Sequence, residues 1–218
     1  MNHPRIARWL SSLPSPGWLP AAILLLATAK IGPLLGGISR PLFVLGCLAT
    51  GVLAWKRSPA SHVQSAIILF AFAPFVRRLV DVSAGFDQSS IMLIGPLVVI
   101  LVPLPELCRM SAAHLRNPWL TFPVIILCCI GYGASLAILQ GDWFNAANGA
   151  VKWASPVLYA IALQQKGGSS DGMVNAVART FLVVLPLTGL YGIWQYVDPQ
   201  SWDRYWMTYA SITSAGMP

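Results

Sequence analysis

Between Trp119 and Gln140 the chain carries no Asp, Glu, Lys or Arg. As a helix rising about 1.5 Å per residue, this run is long enough to cross the hydrocarbon of a bilayer. It is the clearest of seven apolar runs. The others cover about Trp18–Leu35, Pro41–Trp55, His62–Val76, Ile91–Leu107, Asn148–Leu163 and Val174–Tyr196. The second, third and sixth are short, so they borrow turns from their flanks or sit against thinned lipid, and six to eight spans are compatible. Charged residues make up only 10% of the chain and apolar ones 56%. A soluble domain is roughly a quarter charged, so there is too little charge to cover a water-facing surface. A soluble enzyme, a disordered tail, a nucleic-acid module and a collagen-like rod are all disfavoured. The expected fold is all-α: a polytopic membrane helix bundle of about seven transmembrane helices over residues 1–196, followed by an outer-face interfacial segment over 197–218. Membrane lipid is then the partner of much of the surface.

The finer patterns agree. Pro74, Pro96, Pro123, Pro156 and Pro186 fall inside the runs; a membrane bundle tolerates them because neighbouring helices re-satisfy the freed carbonyls. Trp18, Trp55, Trp119, Trp143 and Trp194 sit at run ends, where an amphipathic ring prefers the membrane–water boundary. Gly32-x-x-x-Gly36 at the end of the first run, and Gly131, Gly133, Ala134 and Ser135 in the fifth, offer close helix contact. Cys47, Cys108, Cys128 and Cys129 show no CxxC spacing and read as small apolar residues rather than metal ligands or a disulfide framework. His62 and His114 are expected in inner loops, with no partner at triad or metal spacing.

The net charge of +7 comes from basic residues placed singly or in pairs at run ends, not from a basic stripe, so nucleic acid is not expected as a partner. With the N-terminus in the cytoplasm, the inner segments hold Arg5, Arg8, Lys56, Arg57, Arg109, Arg116, Lys166 and Arg179. The outer segments hold Arg40, Arg77, Arg78, Lys152 and Arg204, with Lys30 near the outer end of the first run. That bias gives an N-in orientation by the positive-inside rule. Arg5 and Arg8 before an apolar stretch ending in Ala27-Thr28-Ala29 also resemble a signal peptide. The orientation adopted here keeps that stretch as the first span.

Arg77 and Arg78 then lie outside, against the rule that set the orientation. Either they snorkel to head groups or pair with Asp81 and Asp87, or they form an anion site at the outer boundary, where a guanidinium fork grips phosphate oxygens of a lipid diphosphate. Beyond the last run, Asp198 and Pro199 make good helix-start chemistry. Trp202, Tyr205, Trp206 and Tyr209 recur at helical spacing, with Asp203 and Arg204 expected toward the other side. This segment reads as a short interfacial helix or as a stacking platform for sugar rings, with Trp202 and Trp206 as the platform and Asp203 and Arg204 as hydrogen-bond partners. Asp81, Asp87, Asp198 and Asp203 are all expected to be solvated. Ser214-Ala215-Gly216-Met217-Pro218 reads as an interruption before a further loop.

Two stretches carry a family resemblance. One is Phe75-Val76-Arg77-Arg78-Leu79-Val80-Asp81 followed by Ala84-Gly85-Phe86-Asp87. The other is Tyr191-Gly192-Ile193-Trp194-Gln195-Tyr196 followed by Trp202-Asp203-Arg204-Tyr205-Trp206-Met207. Both resemble the N-terminal half of the bacterial O-antigen ligase and polysaccharide polymerase family. The resemblance implies a multi-pass protein of the bacterial inner membrane, of the kind that transfers a glycan from a polyprenyl diphosphate to a sugar acceptor on the outer face without a metal, a cofactor or a nucleotide sugar. The family's catalytic outer loop belongs to a later half that has no counterpart in this chain. No catalytic residue is therefore carried over, and the chain is expected to be inactive alone. A transporter or flippase-like bundle is the competing class; it calls for paired ionisable groups at mid-membrane, and only Lys30 and Lys152 come near. A small membrane assembly protein without catalysis is the third.

Overall fold

A computed structural model describes residues 16–109, 117–166 and 171–214. Among them there is no strand. The helices are α1 (Leu19–Leu35), α2 (Ser39–Arg57), α3 (Pro59–Ala84), α4 (Ile91–Leu101), α5 (Leu104–Leu107), α6 (Thr121–Leu139), α7 (Trp143–Gln165), α8 (Asp171–Val197) and α9 (Ser201–Ser214). The expected all-α bundle is what the chain forms, and the seven apolar runs lie on helix except for a break in the fourth. Four helical stretches are long and apolar enough to cross a membrane: Leu19–Arg57, Pro59–Ala84, Pro118–Leu139 and Gly172–Val197. The first is two legs, because a short 3-10 turn at Gly36–Ile38 folds α2 back along α1. Gly36 makes that turn at φ +60, a conformation open to glycine at little cost.

Two compact units divide the chain. The first comprises Met1–Val99 and Asp171–Pro218, the second Ile100–Ser170. In the first unit α3 is the hub, with α1, α2, α8 and α9 all packed on it. Half of its most apolar stretch is buried, against 17% for Leu19–Arg57 and 11% for Gly172–Val197. Its start is well made: Ser58 caps the helix by accepting from the Ser61 amide at 3.0 Å, and Pro59 follows at the first turn, where no N–H is missed. Close approach depends on small residues. A Cβ at Gly32 would stand 2.8 Å from Val80 Cγ2, and one at Gly95 would stand 2.8 Å from Cys47 Sγ. In the second unit α6 and α7 pack on each other and α5 packs on α7. None of α6 is buried in the protein, and Phe122, Tyr132 and Leu139 face outward, as lipid-facing residues do.

The structure departs from the sequence expectations in four places. The third run does not end at Val76; α3 continues to Ala84, so Arg77, Arg78 and Asp81 stand on its last two turns instead of in a loop. His62 is not in an inner loop. It is fully buried in the first turn of α3, edge-on to Trp55 with ring centroids 5.2 Å apart. The fourth run is broken at Val102–Pro103, leaving α4 at 11 residues, about 16 Å long and too short to cross alone. The last helix begins at Ser201, with Asp198–Gln200 as the turn before it, so Asp198 is not its cap. Arg5, Arg8, His114, Arg116 and the residues after Ser214 lie outside the described residues.

Gly32→Val is expected to push α1 off α3 and to cost about 1–3 kcal/mol. Gly133→Ala, in open space, should be neutral. Thermal unfolding of the two detergent-solubilised variants, followed by tryptophan fluorescence, checks the contrast.

A buried arginine–aspartate cluster as the candidate functional site

The site lies in the first unit, where the start of α2, the end of α3 and the whole of α9 meet. Arg40 comes from the first turn of α2, and Arg77, Arg78 and Asp81 from the last turns of α3. Phe86 and Asp87 come from the turn before α4, Tyr191 from α8, and Trp202, Asp203 and Trp206 from α9. On α3, Arg77 and Asp81 are one helical turn apart and share a face. Arg77 Nε stands 3.2 Å from Asp81 Oδ2, and Arg40 Nη2 donates to Asp81 Oδ1 at 2.9 Å. Arg40 also reaches Asp87 at 3.9 Å and donates to the Gly85 carbonyl. Arg77 donates to the Asp87 carbonyl through Nη2. The Asp87 carboxylate turns the other way, accepting the Ser89 amide at 3.0 Å and the Ile91 amide at 2.8 Å, and so caps the start of α4.

Arg78 points from the same turn to α9. Its Nη1 donates to Asp203 Oδ1 at 2.7 Å, and its guanidinium lies 5.0 Å from the Trp206 ring centre. Asp203 is also held by the Tyr191 hydroxyl, 2.8 Å from each carboxylate oxygen, and Trp202 Nε1 donates to that hydroxyl at 3.2 Å. Arg77 lies 5.6 Å from Phe86 and 5.9 Å from Trp206, and Tyr209 stacks on Phe86 at 5.7 Å. Desolvation raises the Tyr205 phenol pKa, and the neighbouring Tyr209 pushes the same way.

Burial corrects the expectation of solvated acids. Asp81 is 0% exposed, Asp203 1% and Asp87 6%; Asp198 alone of the four is exposed, beside Arg204 at 3.7 Å. Arg77 is buried as well, at 5%. A charge taken out of water is tolerated only when paired and hydrogen-bonded, and three arginines with three aspartates give a neutral cluster. The pairing is not complete: Arg40 Nε, Arg77 Nε and Asp81 Oδ2 make no aligned hydrogen bond among the described residues. These atoms are themselves buried, and two of them, Arg77 Nε and Asp81 Oδ2, face each other as an ion pair at 3.2 Å.

Of the residues singled out by sequence, Arg77, Arg78, Trp202, Asp203 and Trp206 come together here. Arg204 does not: it faces outward, with Nε donating to the Pro199 carbonyl at 2.6 Å. Trp202 and Trp206 turn inward onto Phe75 and the two arginines instead of presenting open faces. Arg40 and Tyr191 were not anticipated. Neither has a local signal, because their partners lie 41 and 12 residues away. No group of His, Cys, Asp and Glu among the described residues could hold a metal ion.

An apolar cavity of about 320 Å³ lies between α1, α3 and α8 of the same unit, lined by Leu25, Ala29, Phe72, Phe75, Val184 and Leu187 among others. Its one hydroxyl, on Thr180, is satisfied by the Ala176 carbonyl at 2.8 Å. Phe75 links the cavity to the cluster, since its ring stands edge-on to Tyr191 at 5.0 Å and to Trp202 at 6.4 Å. No protein family model, curated protein or solved structure matches the chain.

Asp81→Ala takes the carboxylate from the buried Arg77 and the part-buried Arg40 and is expected to cost about 3–5 kcal/mol. Tyr191→Phe removes only a hydroxyl from Asp203 and should cost about 1–3 kcal/mol. Unfolding midpoints of the purified variants in one detergent measure both.

Proposed function

We propose that this chain binds a polyprenyl-diphosphate-linked glycan and serves as the lipid-binding part of a glycan ligase or polymerase in cell-surface polysaccharide synthesis. Its place is the bacterial cytoplasmic membrane, with the N-terminus in the cytoplasm and the arginine cluster at the outer face. The observation that carries the reading is the union, through Phe75, of an apolar cavity with an arginine cluster. An amphiphile with a long hydrocarbon tail and a phosphorylated head has that division of chemistry: the tail seeks a site without polar demands, and the head seeks guanidinium groups in a partly dry setting. The reading takes its glycan chemistry from the resemblance of Phe75–Asp81 and Tyr191–Met207 to the ligase and polymerase family, and those stretches supply most of the cluster.

Transfer needs more than a bound donor. The acceptor hydroxyl requires a base, and among the described residues Asp81, Asp87 and Asp203 are already engaged by arginines, a phenol or backbone amides. The chain's role is thus donor binding, with the base supplied by another element. A transporter has less support, since Lys30 and Lys152 are both exposed on their helices and neither forms an ion pair among the described residues.

A photoreactive prenyl diphosphate should label the first unit at the α3 and α8 residues that line the cavity. Farnesyl diphosphate should compete for this labelling at least tenfold better than farnesol, a difference of about 1.4 kcal/mol. Ala29→Trp should abolish it by filling the cavity. Equal competition by alcohol and diphosphate, or labelling unaffected by Ala29→Trp, rules the reading out. Purified protein should show no glycan transfer from a polyprenyl diphosphate donor, and turnover in that assay would contradict the assignment of donor binding alone.

A further inference from the structure

The arginines of the cluster are not equivalent. Arg77 is 5% exposed and held from two sides, by Asp81 and by the Asp87 carbonyl. Arg78 has a side chain 20% exposed and, among the described residues, one carboxylate partner, Asp203. That partner is on a different kind of element. The α9 helix follows α8 through the turn Asp198–Gln200 and packs on α3, and Tyr191 of α8 reaches it through Asp203 and Trp202, contacts that opening must also release. Its outer side is solvated: Arg204, Met207 and Thr208 are exposed. Its inner side holds a fully buried carboxylate, an arrangement that a helix lying at a boundary does not need for its own stability.

We propose that α9 is a lid over the arginine cluster, held shut by the Arg78–Asp203 ion pair, and that a phosphorylated lipid head opens it by taking Arg78 from Asp203. The proposal rests on the lipid-diphosphate reading above and adds a mode of control to it. In the closed state Asp203 occupies the guanidinium edge that a phosphate would use, and Trp206 covers the guanidinium at 5.0 Å. A phosphate offers Arg78 a second oxygen where Asp203 supplies one. When the lid swings out on Asp198–Gln200, the Asp203 carboxylate returns to water, so the exchange leaves no charge buried and unpaired. The closed lid thus competes with the ligand, and apparent affinity falls by the fraction of molecules that are open.

The test uses the full chain in nanodiscs, with Cys47→Ala, Cys108→Ser, Cys128→Ser and Cys129→Ser as background and spin labels at Val82→Cys on α3 and Thr208→Cys on α9. Both labelled positions are exposed. The label distance should lengthen when farnesyl diphosphate is added and stay unchanged with farnesol. Asp203→Asn should lengthen it without ligand and bind farnesyl diphosphate roughly tenfold more tightly. Arg78→Gln should also lengthen it, yet bind at least tenfold more weakly. A purely structural pair predicts weaker binding in both variants, and that result overturns the lid. Saturable binding of farnesyl diphosphate with the distance unchanged overturns the lid while sparing the lipid-diphosphate reading. Absence of binding in both the parent and Asp203→Asn sinks the two together.

Discussion

A carboxylate with no exposure to solvent costs several kcal/mol unless cations and donors meet it. Asp81 is such a group, and the helices around it are arranged to answer it. Arg40 must come from the start of α2 and Arg77 from the preceding turn of α3, which fixes where the α1–α2 hairpin ends relative to α3. Asp203 poses the same demand from α9, and Arg78 and Tyr191 meet it. Removing Asp81 would take the carboxylate from the buried Arg77, and removing Asp203 would take it from the part-exposed Arg78. The outcome is a neutral but strongly polar knot at one end of an otherwise apolar bundle.

That knot also resolves an oddity in the distribution of charge. Adjacent arginines at the outer end of a span would oppose the orientation suggested by the rest of the chain. Here each has a nearby acid, from Asp81 or Asp203, and each lies against an aromatic ring. Lys56 and Arg57, at the far end of α2, are exposed and form no ion pair among the described residues. The aromatic residues serve the same economy. Trp206 and Phe86 cover guanidinium groups, while Phe75 lines the apolar cavity and meets Tyr191 and Trp202 of the cluster.

Much of the architecture was legible because apolar length is a strong local signal. The seven runs fall on helix except for a break in the fourth, and the aromatic spacing from Trp202 to Tyr209 does mark a helix. The depth of the charges was not legible. Arg77, Arg78 and Asp81 look like the start of a loop because three charges in five residues interrupt an apolar run. They continue the helix because their partners come from elsewhere in the chain. Asp203 looked solvated beside Arg204, yet the helix turns one of these neighbours inward and the other outward. Arg40 and Tyr191 were invisible as site residues for the same reason: a pairing across 41 residues, or between two helices, leaves no spacing to read. The break at Val102–Pro103 was present in the sequence, but other prolines in these runs, such as Pro74 and Pro186, stay within unbroken helices.

The account stands on the helices crossing a bilayer and bringing the cluster to the outer surface. Single cysteines at Gln88, Thr208 and Lys56, in a background without the native four, can be treated in intact cells with a membrane-impermeant maleimide. Labelling at positions 88 and 208 from outside, with position 56 reactive only after the membrane is opened, is the pattern the account predicts. Labelling at 56 from outside with 88 and 208 protected, or equal labelling at all three, would contradict it.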